Sequence, residues 1–239
     1  MKKKIFIVTA LILVVVLTVS VVYYVNDYYR AEEVAVSLVS TPHKEVSVTE
    51  KDGAFIFEPE KSTAGIIFYP GGKVQAESYA PLMYALAEKG IMSALVTMPA
   101  NLAVLDMNAA DGIKESFKEI SSWYMAGHSL GGSMAASYIS ENSAEYDGII
   151  LLASYSTADL SKLPLEVLSV YGSNDGVLNM EKYNEYKANL PVGFTEVIIE
   201  GGCHAYFGAY GEQEGDNKPA ITRDEQINIT VDEIIKFIK

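Results

Sequence analysis

Met125-Ala126-Gly127-His128-Ser129-Leu130-Gly131-Gly132 is the stretch that decides the fold. It reads G-x-S-x-G around Ser129. The approach, residues 121–126, predicts a strand entering a sheet. The exit, from Gly131 through Ala135 and Tyr138 to about Ser140, predicts a helix. A serine held in the sharp turn between them projects its hydroxyl above the sheet edge, and the glycines leave room for chains that cross beside it. This is the pattern of a nucleophile elbow. Three fixed residues recur by chance in about one chain in ten of this length, so the flanking elements and the residues downstream must carry the reading.

Working outward, strand and helix patterns alternate from residue 65 onward. Residues 65–69 form a continuous apolar run, the mark of a parallel strand covered on both faces, and stop at Pro70-Gly71-Gly72. Residues 77–88 predict a helix with Tyr79, Leu82, Met83 and Leu86 on one side. Residues 91–97 predict a strand, and residues 106–120 a helix capped by Asp106. After the elbow, strands are predicted at 148–153, 165–171 and 194–200, with a helix at 180–188. A last helix, 221–237, opens with the capping box Thr222-x-x-Glu225. Upstream, residues 34–39, 45–49 and 54–57 read as short strands forming an antiparallel opening. The fold class is therefore α/β, a mostly parallel central sheet with helices on both faces. About a dozen residues separate Ala153 from Leu165, so no large lid domain is inserted.

An acid and then a histidine should follow the serine at successive strand ends. Asp175 stands in Gly172-Ser173-Asn174-Asp175-Gly176, beyond the carboxyl end of a predicted strand, where open α/β sheets place their sites. It would take one imidazole N–H and leave the other ring nitrogen facing Ser129. Asn-Asp-Gly is also a common turn, and Asp159 is a reserve acid. Asp147 sits at the wrong end of its strand. His204, in Gly201-Gly202-Cys203-His204, falls in a loop at the same edge and would act as general base. His128 adjoins the serine and reads as packing or bonding behind it. His43, far upstream, reads as a surface residue. For the oxyanion, one donor should be the N–H of Leu130. The second should come from residues 70–74, with Gly72 and Lys73 the nearest and neither preferred. A solvated Lys73 side chain is expected, with an acidic partner the alternative. Tyr155, Tyr206, Phe207 and Tyr210 either line a substrate wall or pack their loops. Cys203 reads as a small packed residue.

Composition narrows the rest. A net charge of −13 argues against binding nucleic acid. The single cysteine excludes an intrachain disulfide. The three histidines are too widely spaced for a zinc cluster, and no phosphate loop or dinucleotide fingerprint is present. No metal or organic cofactor is expected.

At the N-terminus, Lys2-Lys3-Lys4 precede an uncharged run from Ile5 to Val25. About twenty apolar residues cross a hydrocarbon core as a helix, and the lysines would keep the N-terminus inside. Tyr23, Tyr24, Tyr28 and Tyr29 stand where interfacial aromatics would stand. A cleaved signal peptide is the rival, although a clean A-x-A site is missing. Residues 1–26 are thus a transmembrane anchor or signal segment, 27–43 a stalk and first strand, and 44–239 the catalytic domain. Either alternative places the domain outside the cytoplasm.

Tyr69-Pro70-Gly71-Gly72, Gly127-His128-Ser129-Leu130-Gly131-Gly132, Gly172-Ser173-Asn174-Asp175-Gly176 and the run from Gly201 through Tyr206, Tyr210 and Gly211 to Asp216 resemble the α/β-hydrolase superfamily. More narrowly, the chain resembles small bacterial esterase-like α/β-hydrolase domain proteins, membrane-anchored or exported and distantly similar to dienelactone hydrolases. The resemblance covers residues 44–239. Dienelactone hydrolases use a cysteine nucleophile, whereas the elbow here holds serine. The resemblance implies a Ser129-His204-Asp175 triad cleaving a small-molecule carboxylic ester. A peptidase, thioesterase or glycan deacetylase would use the same triad. A non-catalytic ligand-binding surface protein is the reading from a different class. Oligomeric state is not readable.

Overall fold

The computed structural model describes residues 2–41 and 44–238; His43 lies outside them. The apolar runs pair into one sheet. Its strands are β1 (Val46–Lys51), β2 (Ala54–Pro59), β3 (Ala64–Tyr69), β4 (Ile91–Val96), β5 (Ser122–His128), β6 (Gly148–Leu152), β7 (Glu166–Gly172) and β8 (Thr195–Ile199). Their order is β1-β2-β4-β3-β5-β6-β7-β8. β1 and β2 are antiparallel, and from β4 to β8 every neighbouring pair is parallel. The predicted parallel body is present, and so are two of the three strands predicted for the antiparallel opening, β1 and β2.

Every residue of β3, β4 and β6 is buried, which explains why these strands read as unbroken apolar runs rather than alternations. Successive side chains go to opposite faces. Ile66 and Phe68 meet Leu82, Met83 and Leu86 of α3 (Ala80–Glu88) and Ile227, Val231 and Ile234 of α6 (Arg223–Ile238). Ile67 and Tyr69 meet Ala135, Ala136 and Ile139 of α4 (Leu130–Glu141). Each fully buried Ile, Leu or Phe contributes about 1.5–3 kcal/mol, so these two layers hold the sheet edge that carries the site. Thr222 and Glu225 form the predicted capping box of α6, with Glu225 N–H on Thr222 Oγ1 at 3.2 Å and Thr222 N–H on Glu225 Oε2 at 2.7 Å. The remaining helices are α1 (Lys2–Asn26), α2 (Glu33–Ser40) and α5 (Met180–Tyr186).

Two expected elements are different. Residues 34–39 are not a strand: they lie in α2. The alternation Val34, Val36, Leu38 looks strand-like, but Ala35 is buried and Leu38 and Val39 pack on the core beside it. That is the i, i+3, i+4 spacing of one helix face, and tertiary packing overrides β-branched propensity. Residues 106–120 are not a long helix, and Asp106 caps none. The segment is a chain of turns with one short 3-10 turn, Lys114–Ser116. Tyr69 pins it from the sheet, its hydroxyl donating to Met107 O at 2.7 Å and accepting from Ala110 N at 3.0 Å. Gly112 then turns the chain at φ +80°.

Nor is the segment after α1 a free stalk. Tyr29 pairs with the loop after β3, its N–H on Lys73 O at 2.7 Å and its carbonyl taking Gln75 N–H at 2.9 Å. Glu32 N–H reaches Ala209 O at 2.9 Å, and Arg223 holds the Glu32 carboxylate at 2.7 Å. Tyr29 is therefore half-buried against Tyr210 instead of standing with the interfacial aromatics.

Candidate active site

β5 delivers the chain to the carboxyl edge of the sheet at His128, and α4 begins at Leu130. Between them Ser129 has φ 52° and ψ −123°, a positive φ that few non-glycine residues adopt. Its N–H donates to Leu152 O at 2.9 Å, and its carbonyl accepts Ser154 Oγ at 2.7 Å, so the turn is bonded on both sides. The flanking glycines are required by crowding. A Cβ on Gly131 would collide with the carbonyl oxygens of Tyr69 and Pro70, and one on Gly127 would lie 2.6 Å from the backbone of Gly131 and Gly132.

Asp175 and His204 come from loops after β7 and β8. His204 Nδ1 and Asp175 Oδ2 are 2.8 Å apart, and both side chains are 1% exposed. Asp175 Oδ1 accepts Val177 N–H at 2.8 Å and Leu178 N–H at 2.7 Å. The ionised carboxylate has no donor of its own, so Nδ1 carries the ring proton and Nε2 keeps a lone pair. His204 Nε2 is buried and without a hydrogen-bond partner, Ser129 Oγ included. The His204 ring lies 4.5 Å, centroid to centroid, from that of His128, the residue immediately before Ser129.

His128 is wholly buried, with Nδ1 2.8 Å from Tyr79 Oη. That hydroxyl also accepts Gly71 N–H at 3.0 Å, so its own proton goes to His128. Burial first, and then the neighbouring His204, push the His128 pKa well below 6.5. A neutral imidazole that accepts at Nδ1 supports the loop behind the serine. Burial also raises the Tyr79 phenol, keeping it a donor.

The loop after β3 meets the start of α4: a Cβ on Gly72 would lie 2.8 Å from Leu130 Cδ2. Leu130 is the first residue of its helix, so its N–H has no intrahelical partner. Lys73 N–H is taken by Asn101 O at 2.7 Å. The Lys73 ammonium pairs with Asp27 at 2.6 Å, the acidic partner rather than the solvated alternative.

Of the other sequence candidates, Asp159 bonds to its own turn, accepting Ser161 N–H and Oγ. Asp147 accepts Trp123 N–H at the opposite edge of the sheet. Phe207 and Tyr210 are buried in the core and pack there; Tyr155, half-buried, stacks on Tyr186 at 5.4 Å, and Tyr206, also half-buried, lines a cavity with Cys203, Gln213 and Pro219. Cys203 is buried, its thiol pushed up to about 12 chiefly by burial. Among the described residues no group of three or more His, Cys, Asp or Glu is placed to hold a metal.

Sequence reasoning passed over three supports. Asp216 bridges the acid and histidine loops, accepting Gly176 N–H and Ala205 N–H, each at 2.9 Å. Gln226 of α6 bonds both the N–H and the carbonyl of Cys203, at 2.9 and 2.8 Å. Tyr79 joins the Gly71 loop to His128. For Tyr79 the available signal was a phenol on an apolar helix face, whose hydroxyl must find a partner when buried.

The sequence profile of a family described as "Alpha/beta hydrolase family" matches residues 65–228. No curated protein matches the chain. Among solved structures, the chain is similar to a predicted CIB-like hydrolase from Thermoplasma acidophilum, with TM-score 0.57 and 19% identity over 80% of this chain and 98% of that one. It is similar to Est1E from Butyrivibrio proteoclasticus, with TM-score 0.57 and 15% identity over 82% and 99%. It is also similar to a dienelactone hydrolase from Anabaena variabilis, with TM-score 0.58 and 14% identity over 82% and 100%. At these identities the likeness is one of fold.

Proposed function

The chain belongs to the alpha/beta hydrolase family, and from that premise we propose that it is a serine hydrolase cleaving a carboxylic ester through an acyl-serine intermediate. The observation that carries the reading is the buried Asp175–His204 pair, with Nε2 unpartnered, at the sheet edge where Ser129 occupies its strained turn.

Ser129 Oγ attacks the ester carbonyl and passes its proton to His204 Nε2. Asp175 holds Nδ1–H and stabilises the imidazolium that results. The oxyanion falls to the N–H groups of Leu130 and Gly72; Lys73 is the poorer donor because Asn101 already takes its N–H. His204 then protonates the departing alkoxide. Water, deprotonated by the same nitrogen, attacks the acyl-serine, and that proton passes to the departing Ser129 Oγ as the acid is released. Ser129 Oγ must rotate toward Nε2 for the first step, and such contacts commonly tighten only when substrate is bound.

The same reading holds the enzyme in a membrane through residues 1–26, with the domain of residues 44–239 outside the cytoplasm. Supporting it are the 25-residue α1, mean hydropathy 3.2 over its most apolar stretch, none of it buried, and the three lysines that precede the apolar run. A cleaved signal would instead leave α1 absent from the mature chain, which the mass of the native protein reports.

The test is hydrolysis of p-nitrophenyl esters of increasing chain length by the full-length protein in detergent, beside Ser129→Ala. Loss in the variant, with fluorophosphonate labelling at Ser129, is the expected result. Labelling without ester turnover would move the substrate to an amide, thioester or glycan acetyl group. Neither labelling nor turnover would leave a ligand-binding protein.

A further inference from the structure

We propose that the catalytic edge works at the surface of the membrane holding α1, on an ester of a neutral membrane-resident amphiphile of the monoacylglycerol kind. The inference rests on the hydrolase reading and on α1 as a span.

Reach carries the argument. α1 ends at Asn26, and Tyr29 is already bonded to Lys73 O at 2.7 Å. Three residues span at most about 11 Å. Lys73 itself touches the end of the anchor, with Asp27 at 2.6 Å and the Tyr24 ring at 4.6 Å from its ammonium. Gly72, the donor assigned to the oxyanion, is the preceding residue. A soluble domain on a loose tether would stand clear of the bilayer; here the oxyanion loop is within one short step of it.

The neighbouring turns point the same way. α1 contacts the turn Pro99–Asn101, whose Asn101 carbonyl takes Lys73 N–H. The next turn, Ala103–Leu105, lies against α4, the helix that starts at the nucleophile, and leaves Val104 and Leu105 58% and 59% exposed. Adjacent exposed aliphatics between anchor and active edge suit an acyl-chain boundary better than water. With a net charge of −13, the protein is disfavoured on an anionic surface, which leaves an uncharged amphiphile in a zwitterionic surface as the simplest ester to meet there.

Full-length protein in phosphatidylcholine vesicles tests this. Cys203 is buried, so Leu105→Cys can be labelled selectively with an environment-sensitive fluorophore. Val192→Cys, fully exposed at the opposite edge of the sheet before β8, is the control. Lipid carrying a spin label near the headgroup should quench the label at 105 and not at 192. Equal quenching at both positions, or none at 105, overturns the proposal while leaving the hydrolase reading intact. In the same vesicles, turnover of monooleoylglycerol relative to soluble p-nitrophenyl butyrate should fall about tenfold in Val104→Ser/Leu105→Ser. An unchanged ratio, or butyrate hydrolysis with no monooleoylglycerol turnover, overturns the substrate. Quenching at 105 with hydrolysis of neither ester overturns the substrate, and the hydrolase reading falls with it only if Ser129 also fails to take a fluorophosphonate label.

Discussion

The hydroxyl of Tyr79 lies 2.8 Å from Nδ1 of His128, and neither side chain reaches solvent. Because Tyr79 also takes Gly71 N–H, a single phenol ties the loop after β3, the proposed source of an oxyanion donor, to the residue before Ser129. Tyr79→Phe leaves two buried polar atoms without partners. The expected cost is about 1–3 kcal/mol, read as a lower urea midpoint at unchanged m-value. Ester turnover should lose kcat more than KM, since the loop aims a donor at charge present only in the transition state.

Asp175→Asn should preserve the fold and lower kcat by about 10⁴, the size of the effect when a triad aspartate loses its charge. An amide can present N–H where the carboxylate accepted His204 Nδ1–H, which favours the wrong tautomer. Ester hydrolysis at pH 7.5, with circular dichroism as a control for folding, checks this. A drop below tenfold would remove Asp175 from the mechanism.

His128 makes stability depend on pH. Its folded pKa lies well below 6.5 because the ring is buried and faces His204. The unfolded chain takes up a proton near pH 6.5 that the folded one refuses. Its contribution is therefore fully present above pH 6.5 and falls as pH drops, by up to about 1.4 kcal/mol per unit. Urea melts at pH 7.5 and 5.5 should show the loss, and His128→Phe should flatten the slope relative to the unsubstituted protein.

Two glycine substitutions should separate packing from catalysis. Gly131→Ala drives a Cβ into the carbonyls of Tyr69 and Pro70, which are backbone and cannot step aside. A loss of roughly 1–3 kcal/mol or more is expected. Gly72→Ala meets mainly the end of the Leu130 side chain, which can turn away, so its melting temperature should hold while kcat falls.

Cys203 should be inert in the native protein. Its thiol is buried and pushed up to about 12, leaving almost no thiolate at neutral pH. Iodoacetamide should modify it only after urea is added, as mass spectrometry of the intact chain will show.

The strand-turn-helix around Ser129 was legible because its signals are local: an apolar run, two glycines and a small-residue helix within a few residues. The loops carrying Asp175 and His204 were legible as strand ends for the same reason. What escaped depends on distant partners. Residues 34–39 form a helix whose face of Ala35, Leu38 and Val39 turns inward, Ala35 buried and the other two packed on the core. Residues 106–120 stay irregular because Tyr69, 38 positions away from Met107, fastens them. The Tyr79–His128 bond spans 49 positions, and nothing near either residue announces the other.

The backbone pairing of Tyr29 with Lys73 and Gln75 has a bearing on how the enzyme could be shed. In many anchored ectoenzymes a protease can clip a flexible stem and release an active domain. Here Tyr29 is itself bonded to the loop after β3, so if α1 is the anchor and that loop the oxyanion donor, as proposed, a cut within residues 27–32 would free the domain and loosen its site in one event. On that proposal release and inactivation would coincide, and the range of action would end where the anchor does.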